Sequence, residues 1–175
     1  MPLKAPTHQK CEPWRYSIIK GPENIEKYLD FLEEWYNEHS ENLGDGELQK
    51  FKSKIPSVRE TWPHNVSVAI LIGMKRQARM DKRLPEWEEI CAVAMSVQNM
   101  HLMSTSLNQV GGFWSSHTWC QAARDSAEIR KKWFGDLLLD PEDRVFGAFL
   151  LGKYDDSKQY RSTRTSIASK IIKNM

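Results

Sequence analysis

Apolar positions along this chain fall into two periods. Ile25, Tyr28, Leu29, Leu32, Trp35 and Tyr36 recur every three or four residues among acids and amides between Glu23 and Glu38, which predicts an amphipathic helix. Pro22 suits its first turn. Trp14–Lys20, "WRYSIIK", is aromatic and β-branched and stops at Gly-Pro, so it predicts a strand. "NVSVAILIG", Asn65 to Gly73, is a continuous aliphatic run and predicts a strand covered on both faces at the centre of a sheet. Pro85 with Glu86, Glu88 and Glu89 marks a helix start. From Trp87 to about Leu107, Ile90, Val93, Ala94, Val97 and Met100 define a helix whose stripe is widened nearly all round by Cys91, Ala92, Met95, Leu102 and Met103.

"NQVGGFWSSHTW" breaks that helix and places Phe113, Trp114, Ser115 and Ser116 on an extended segment. Ser126 caps a short helix, "AEIRKKWF", ending at Gly135. "DPED" is a turn, and "RVFGAFLLG" is a further strand in which Gly147 and Ala148 leave room for a close neighbour. "NLGDGELQKFKSK" is expected to cross the surface with only a short polar helix, and the charged run "KRQARMDKR" to be a solvated loop. Strands alternating with helices predict a mixed α/β sheet covered by helices.

With 175 residues the expectation is one domain over 1–154 and a basic tail over 155–175 that carries Arg161, Arg164, Lys170 and Lys173. Lys+Arg number 25 and Asp+Glu 23, and this balance argues against nucleic acid or an anionic membrane as partner. Three cysteines, Cys11, Cys91 and Cys120, are odd in number and unpaired in spacing, which fits reduced thiols in the cytoplasm better than disulfides or structural zinc. No run approaches the ~20 apolar residues of a membrane span.

Motifs for zinc proteases, serine hydrolases, P-loops and dinucleotide-binding glycine loops do not occur. His8 with Cys11, and His117 with Cys120, could be thiolate pairs, although nucleophile and base are normally joined by the fold rather than by local spacing. What remains is a set that can hold a flat ligand: "KAPTHQ" before the first strand and "GGFWSS" after the central helix. The glycines admit close backbone approach, and Lys4, His8 and the tail arginines can meet an anionic group.

"APTHQKCEPWRYSII" resembles the loop and strand A-P-x-H-x-x-x-x-P-W-x-F of the nitroreductase family of FMN-dependent oxidoreductases. "AVAMSVQNMHLMSTSLNQVGGFWSS" resembles that family's central helix and its G-x-W flavin loop, and "IRKKWFGDLLLDPEDRVFGAFLLGKYD" is similar to its terminal helix, turn and strand. The three segments keep the family's order from about Lys4 to Tyr154.

The resemblance implies an α+β fold: a three-layer α/β sandwich with a central mixed sheet and a long buried helix, forming a homodimer with FMN at the subunit interface. It implies hydride transfer from NAD(P)H through flavin N5 to a nitro, quinone or similar small-molecule acceptor. By the same alignment Lys4 and His8 contact the flavin, and Trp114, Ser115 and Ser116 line its ring, with the Ser115 and Ser116 amides as donors. Ser104 to Gln109 lie near the nicotinamide, and Arg161 and Arg164 correspond to phosphate-binding tail residues. The family's upstream Arg-Arg-Ser phosphate segment lies before the start of this sequence. At ~1.5–3 kcal/mol for each charge-assisted contact, losing two implies an FMN affinity weaker by roughly two to four orders of magnitude. A truncated start or a degenerate paralogue both fit that departure. The rival expectations are an interaction protein of the same fold with little or no flavin affinity, and a thiol enzyme using Cys11 or Cys120.

Overall fold

The computed structural model describes residues 4–77, 81, 83–116, 120–154, 157, 166 and 170. Nine regular elements follow in order: β1 (Trp14–Lys20), α1 (Pro22–Glu38), α2 (Asp45–Asn65), β2 (Val66–Met74), α3 (Glu86–Ser106), β3 (Val110–Ser115), α4 (Gln121–Asp125), α5 (Ala127–Phe134) and β4 (Arg144–Lys153). The four strands form one sheet in the order β1-β2-β4-β3.

Strand alternation divides the core into two layers. Ala69 and Leu71 of β2, with Ala148 and Leu150 of β4, face α1, α2, α4 and α5, where Ile25, Tyr28, Leu29, Leu32, Phe51, Ile55 and Ile129 are buried. Ile72 and Met74, with Phe149, face α3 through Ala92, Val93, Val97 and Met100. The sandwich therefore has three layers, α/β/α, with β2 and β4 at the centre of the sheet.

Every pairing among the described residues is antiparallel, so the mixed sheet expected from alternating strands and helices is corrected. Two helices separate β1 from β2, and the second pass reverses the chain. β2 and β3 do run parallel, but β4 lies between them.

The expectation of a surface connection after Leu43 is also corrected. α2 runs for 21 residues, and Phe51, Ile55, Val58 and Trp62 bury its inner face at helical spacing. Pro56 and Pro63 lie inside it; each removes a helical N–H at a cost of about 3 kcal/mol, which burial of those four side chains opposes.

α3 is central but only half covered. Trp87, Ile90, Met95, Leu102 and Met103 are exposed on its outer side, so the "long buried helix" is buried on one face alone. Among the described residues nothing covers that outer stripe.

One irregularity matters for the site. Leu71 pairs with Ala148 and Gly73 with Val145, so two steps along β2 face three along β4. The extra residue is a β-bulge at Phe146–Gly147, and Gly147 takes φ +89°. Its missing Cβ makes room for another backbone: a Cβ there would overlap the Ser115 carbonyl and lie 3.0 Å from Ser116 Cα.

Candidate functional site

β3 forms one edge of the sheet. Tyr154 N donates to Gln109 O at 2.8 Å, and the alternation set by this bond continues through Gly111↔Gly152, Phe113↔Leu150 and Ser115↔Ala148. The N–H groups of Gly112 and Trp114 therefore point outward along the free edge, whereas that of Ser115 points at β4. The Ser115 amide, expected to donate to the ring, is therefore turned into the sheet, and the Trp114 amide is the one that faces outward. The Ser115 side chain is also only 2 % exposed.

Trp114 lies at the bulge. Its indole Nε1 donates to Phe146 O at 3.0 Å, a carbonyl in the part of β4 that the bulge leaves without a β2 partner. The ring stays 40 % exposed beside exposed Phe113, so one aromatic face is held in a fixed direction while still open. Ser116 is exposed and borders a small polar recess of about 200 Å³ with Tyr36, Lys50, Cys120 and Arg124.

Gly112 also has a packing role within the chain. A Cβ on Gly112 would collide with Ser104 Oγ of α3 and with the Phe149 ring. Gly112 thus lets the end of α3 settle onto the sheet. Beyond that contact, Thr105–Phe113, His101, Lys153 and Tyr154 line a groove of about 1100 Å³. Of the segment expected near a nicotinamide, Ser104–Gln109, it is lined by Thr105–Gln109 and not by Ser104; Gln109 itself is held at φ 61°.

The other expected half of the site precedes β1, at the opposite edge of the sheet. Lys4 is exposed, and the neighbouring Ala5 is buried under α3. His8 Nδ1 lies 2.5 Å from Glu88 Oε2 in the first turn of α3. The loop is stapled again where Thr7 Oγ1 meets Cys11 Sγ at 2.9 Å. Gln9, Lys10 and Glu12 all take positive φ, between 41° and 55°, a conformation that costs a non-glycine residue roughly 1–2 kcal/mol.

One chain thus brings Trp114, Ser115 and Ser116 together and holds Lys4 and His8 in one loop, but it places the two groups at opposite sheet edges. Arg161 and Arg164 lie outside the described residues.

The expected solvated basic loop is corrected in part. Arg76 is 8 % exposed and bonds through Nη1 to Glu89, which is fully buried; its Nη2 donates to Leu84 O at 3.2 Å. Arg83 reaches Asp140 and Glu142. Burial raises the Glu89 carboxyl above its usual range, against the pull of Arg76. The amide of Glu142, followed by Arg83, lowers that of Asp140. These pairs join residues far apart in sequence, so helical or strand periodicity could not have revealed them.

The Cys120 thiol has a structural role. Cys120 Sγ accepts from Ala123 N at 3.4 Å and caps α4, and Cys120 N donates to Tyr36 Oη at 2.7 Å. His117 lies outside the described residues. Among the described residues no His, Cys, Asp and Glu group is arranged to hold a metal ion.

A four-stranded antiparallel sheet between a multi-helix layer and one long helix defines a class of α/β sandwich. Solved structures specify it further. A nitroreductase-like family protein from Bacillus cereus superposes with a TM-score of 0.67 at 18% identity, over 99% of this chain and 79% of that one. A nitroreductase with bound FMN from Bacteroides fragilis gives 0.65 at 17%, over 99% and 82%. The FMN- and NADPH-dependent nitroreductase NfnB from sphigopyxis sp. strain HMH gives 0.61 at 11%, over 99% and 85%. The protein has the nitroreductase fold. No family model and no curated protein matches the sequence.

Proposed function

We propose that this protein is an FMN-binding oxidoreductase that works as a homodimer and uses NAD(P)H to reduce a nitro, quinone or similar small acceptor. The observation that carries the reading is the Trp114 edge at the β4 bulge, on a fold whose solved examples include FMN-bound nitroreductases.

The residues present fit the isoalloxazine part of FMN. Trp114 offers an exposed aromatic ring and an outward amide, Gly112 a second outward amide, and Ser116 an exposed hydroxyl. Lys4 and His8 supply the second half of the site. Because they stand at the other sheet edge, a second copy packed on the α3 stripe is the arrangement that brings one chain's Lys4–His8 loop to the other's Trp114–Ser116 edge. Bound there, FMN supplies the hydride chemistry itself, so no general base is required of the chain. The chain's part is to fix the ring by outward amides, to exclude water with Phe113 and the α3 stripe, and to admit a nicotinamide along the Thr105–Gln109 groove.

The phosphate is the weak point. Arg76 and Arg83, in the segment between β2 and α3, are already paired with carboxylates. This favours a second reading, an interaction protein that keeps the fold with little flavin affinity. Among the described residues no helix is long and apolar enough to cross a membrane, and we place the protein in the cytoplasm on its unpaired thiols.

Titration of the purified protein with FMN, followed by quenching of flavin fluorescence and by NADH and NADPH oxidation, tests the reading. Saturable binding with turnover supports it, and joint replacement of His8 and Trp114 is expected to lower occupancy without unfolding. A stable dimer that neither quenches FMN nor oxidises either nucleotide refutes the enzyme and leaves the interaction protein. Leu102→Arg in the α3 stripe is expected to shift the sedimentation coefficient to that of a monomer; an unchanged dimer removes this interface.

A further inference from the structure

We infer that Glu88 is a positioning residue that sets which nitrogen of His8 faces a ligand; the identity of that ligand as FMN rests on the function proposed above. An ionised carboxylate can only accept hydrogen bonds. The 2.5 Å contact from His8 Nδ1 to Glu88 Oε2 therefore places the proton of a neutral imidazole on Nδ1. Nε2, across the ring from the nitrogen that meets Glu88, is left as a lone pair available to accept. The site thus selects, at His8, a ligand group that donates a proton: a hydroxyl or a ring N–H rather than a carbonyl or phosphate oxygen.

Three features make this an oriented side chain rather than a chance surface pair. Glu88 belongs to the first turn of α3 and is 20 % exposed, so its carboxylate starts from a rigid element. His8 O accepts from Cys11 N at 3.1 Å, and the Thr7–Cys11 contact closes the loop from its other side. Gln9 and Lys10, immediately after His8, hold left-handed backbone, a conformation that turns the chain sharply and that an unsupported loop would relax. The bond from His8 to α3 is the tertiary contact that opposes this relaxation at the residue itself.

The test reads the tautomer directly in the full-length protein without FMN. Two-bond ¹H–¹⁵N correlation spectra of histidine-labelled protein in alkaline buffer are assigned to His8 by the loss of its signals in His8→Asn. Wild type is expected to show Nδ1 protonated and Nε2 unprotonated. Glu88→Ala is expected to move the ratio toward Nε2–H by roughly tenfold, the low end for a charge-assisted hydrogen bond because His8 is 55 % exposed. Glu88→Asp keeps the charge but shortens the reach and is expected to shift the ratio in the same direction. Thermal melts establish that each variant is folded.

A wild-type spectrum already dominated by Nε2–H, or a ratio unchanged in both variants, overturns the assignment. FMN titration of the same samples is a separate arm, in which Kd is expected to rise several-fold in Glu88→Ala. A shifted tautomer with unchanged Kd overturns the role toward the flavin. If wild type binds no FMN, the proposed function falls while the spectra still decide what Glu88 does to His8.

Discussion

Replacing Gly147 tests the coupling between the fold and the candidate site most directly, because the β4 bulge supports the end of β3. In Gly147→Ala two costs add. Alanine at φ +89° is strained by about 1–3 kcal/mol. Its Cβ would also lie 3.0 Å from Ser116 Cα and 3.1 Å from Ser115 C, with the Ser115 carbonyl oxygen closer still. All three are backbone atoms that cannot rotate away, and such overpacking costs a further ~1–3 kcal/mol. A loss near 4 kcal/mol is a large part of an ordinary domain's stability of roughly 5–15 kcal/mol. At a urea slope of about 2 kcal/mol per molar, it moves the unfolding midpoint down by about 2 M. Two controls separate the terms. At Gly135, φ is +54° and open space surrounds the Cβ position, so Gly135→Ala carries strain alone. At Gly111 the φ is not positive and the nearest atom is Tyr154 Cδ2 at 3.7 Å, so Gly111→Ala carries neither cost. The expected order of midpoints is Gly111→Ala, then Gly135→Ala, then Gly147→Ala, and flavin affinity should fall sharply only in the last. A Gly147→Ala protein as stable as Gly111→Ala would refute the account of the bulge.

Tyr36→Phe removes the acceptor of the Cys120 amide at a buried site; an expected loss of about 1–3 kcal/mol is read by urea unfolding, and no loss would show the amide finding another partner. Burial raises the Tyr36 phenol above its ordinary value, so the unfolded chain releases that proton first. Stability is then expected to fall as pH climbs past the ordinary tyrosine range, and less steeply in Tyr36→Phe. Among the described residues, Glu89→Ala leaves the buried Arg76 guanidinium with Leu84 O and the more distant Glu142, for an expected loss of about 3 kcal/mol. Because Glu89 holds its proton more tightly when folded, its contribution weakens stability as pH rises from the usual carboxylate range toward its higher native value. Glu89→Gln should flatten that slope, and identical pH profiles would count against the burial argument.

Elements with a strong period were legible in the sequence. β1 occupies Trp14–Lys20 and α1 occupies Pro22–Glu38, because a burial face written every two or every three to four residues needs no knowledge of its partner. The sequence shows only a short polar helix where α2 stands, because two glycines at its start and two internal prolines mask the buried stripe of Phe51, Ile55, Val58 and Trp62. The solvated reading of the loop after β2 failed at Arg76 and Arg83 because their carboxylate partners lie on α3 and in the turn before β4. At the site, Trp114 and Ser116 could be picked out by residue type. The direction of each amide could not, since it depends on the register of β3 against β4.

The sequence by itself determined the strands and most helices, the two-faced core and the candidate ring-binding stretch, because each depends on neighbours a few bonds away. Tertiary structure alone decided that the sheet is antiparallel, that Ser115 turns inward while Trp114 faces out, and that His8 meets Glu88. Those outcomes depend on which distant segments come to lie side by side, and a bulge of one residue in β4 is enough to change what the neighbouring edge presents.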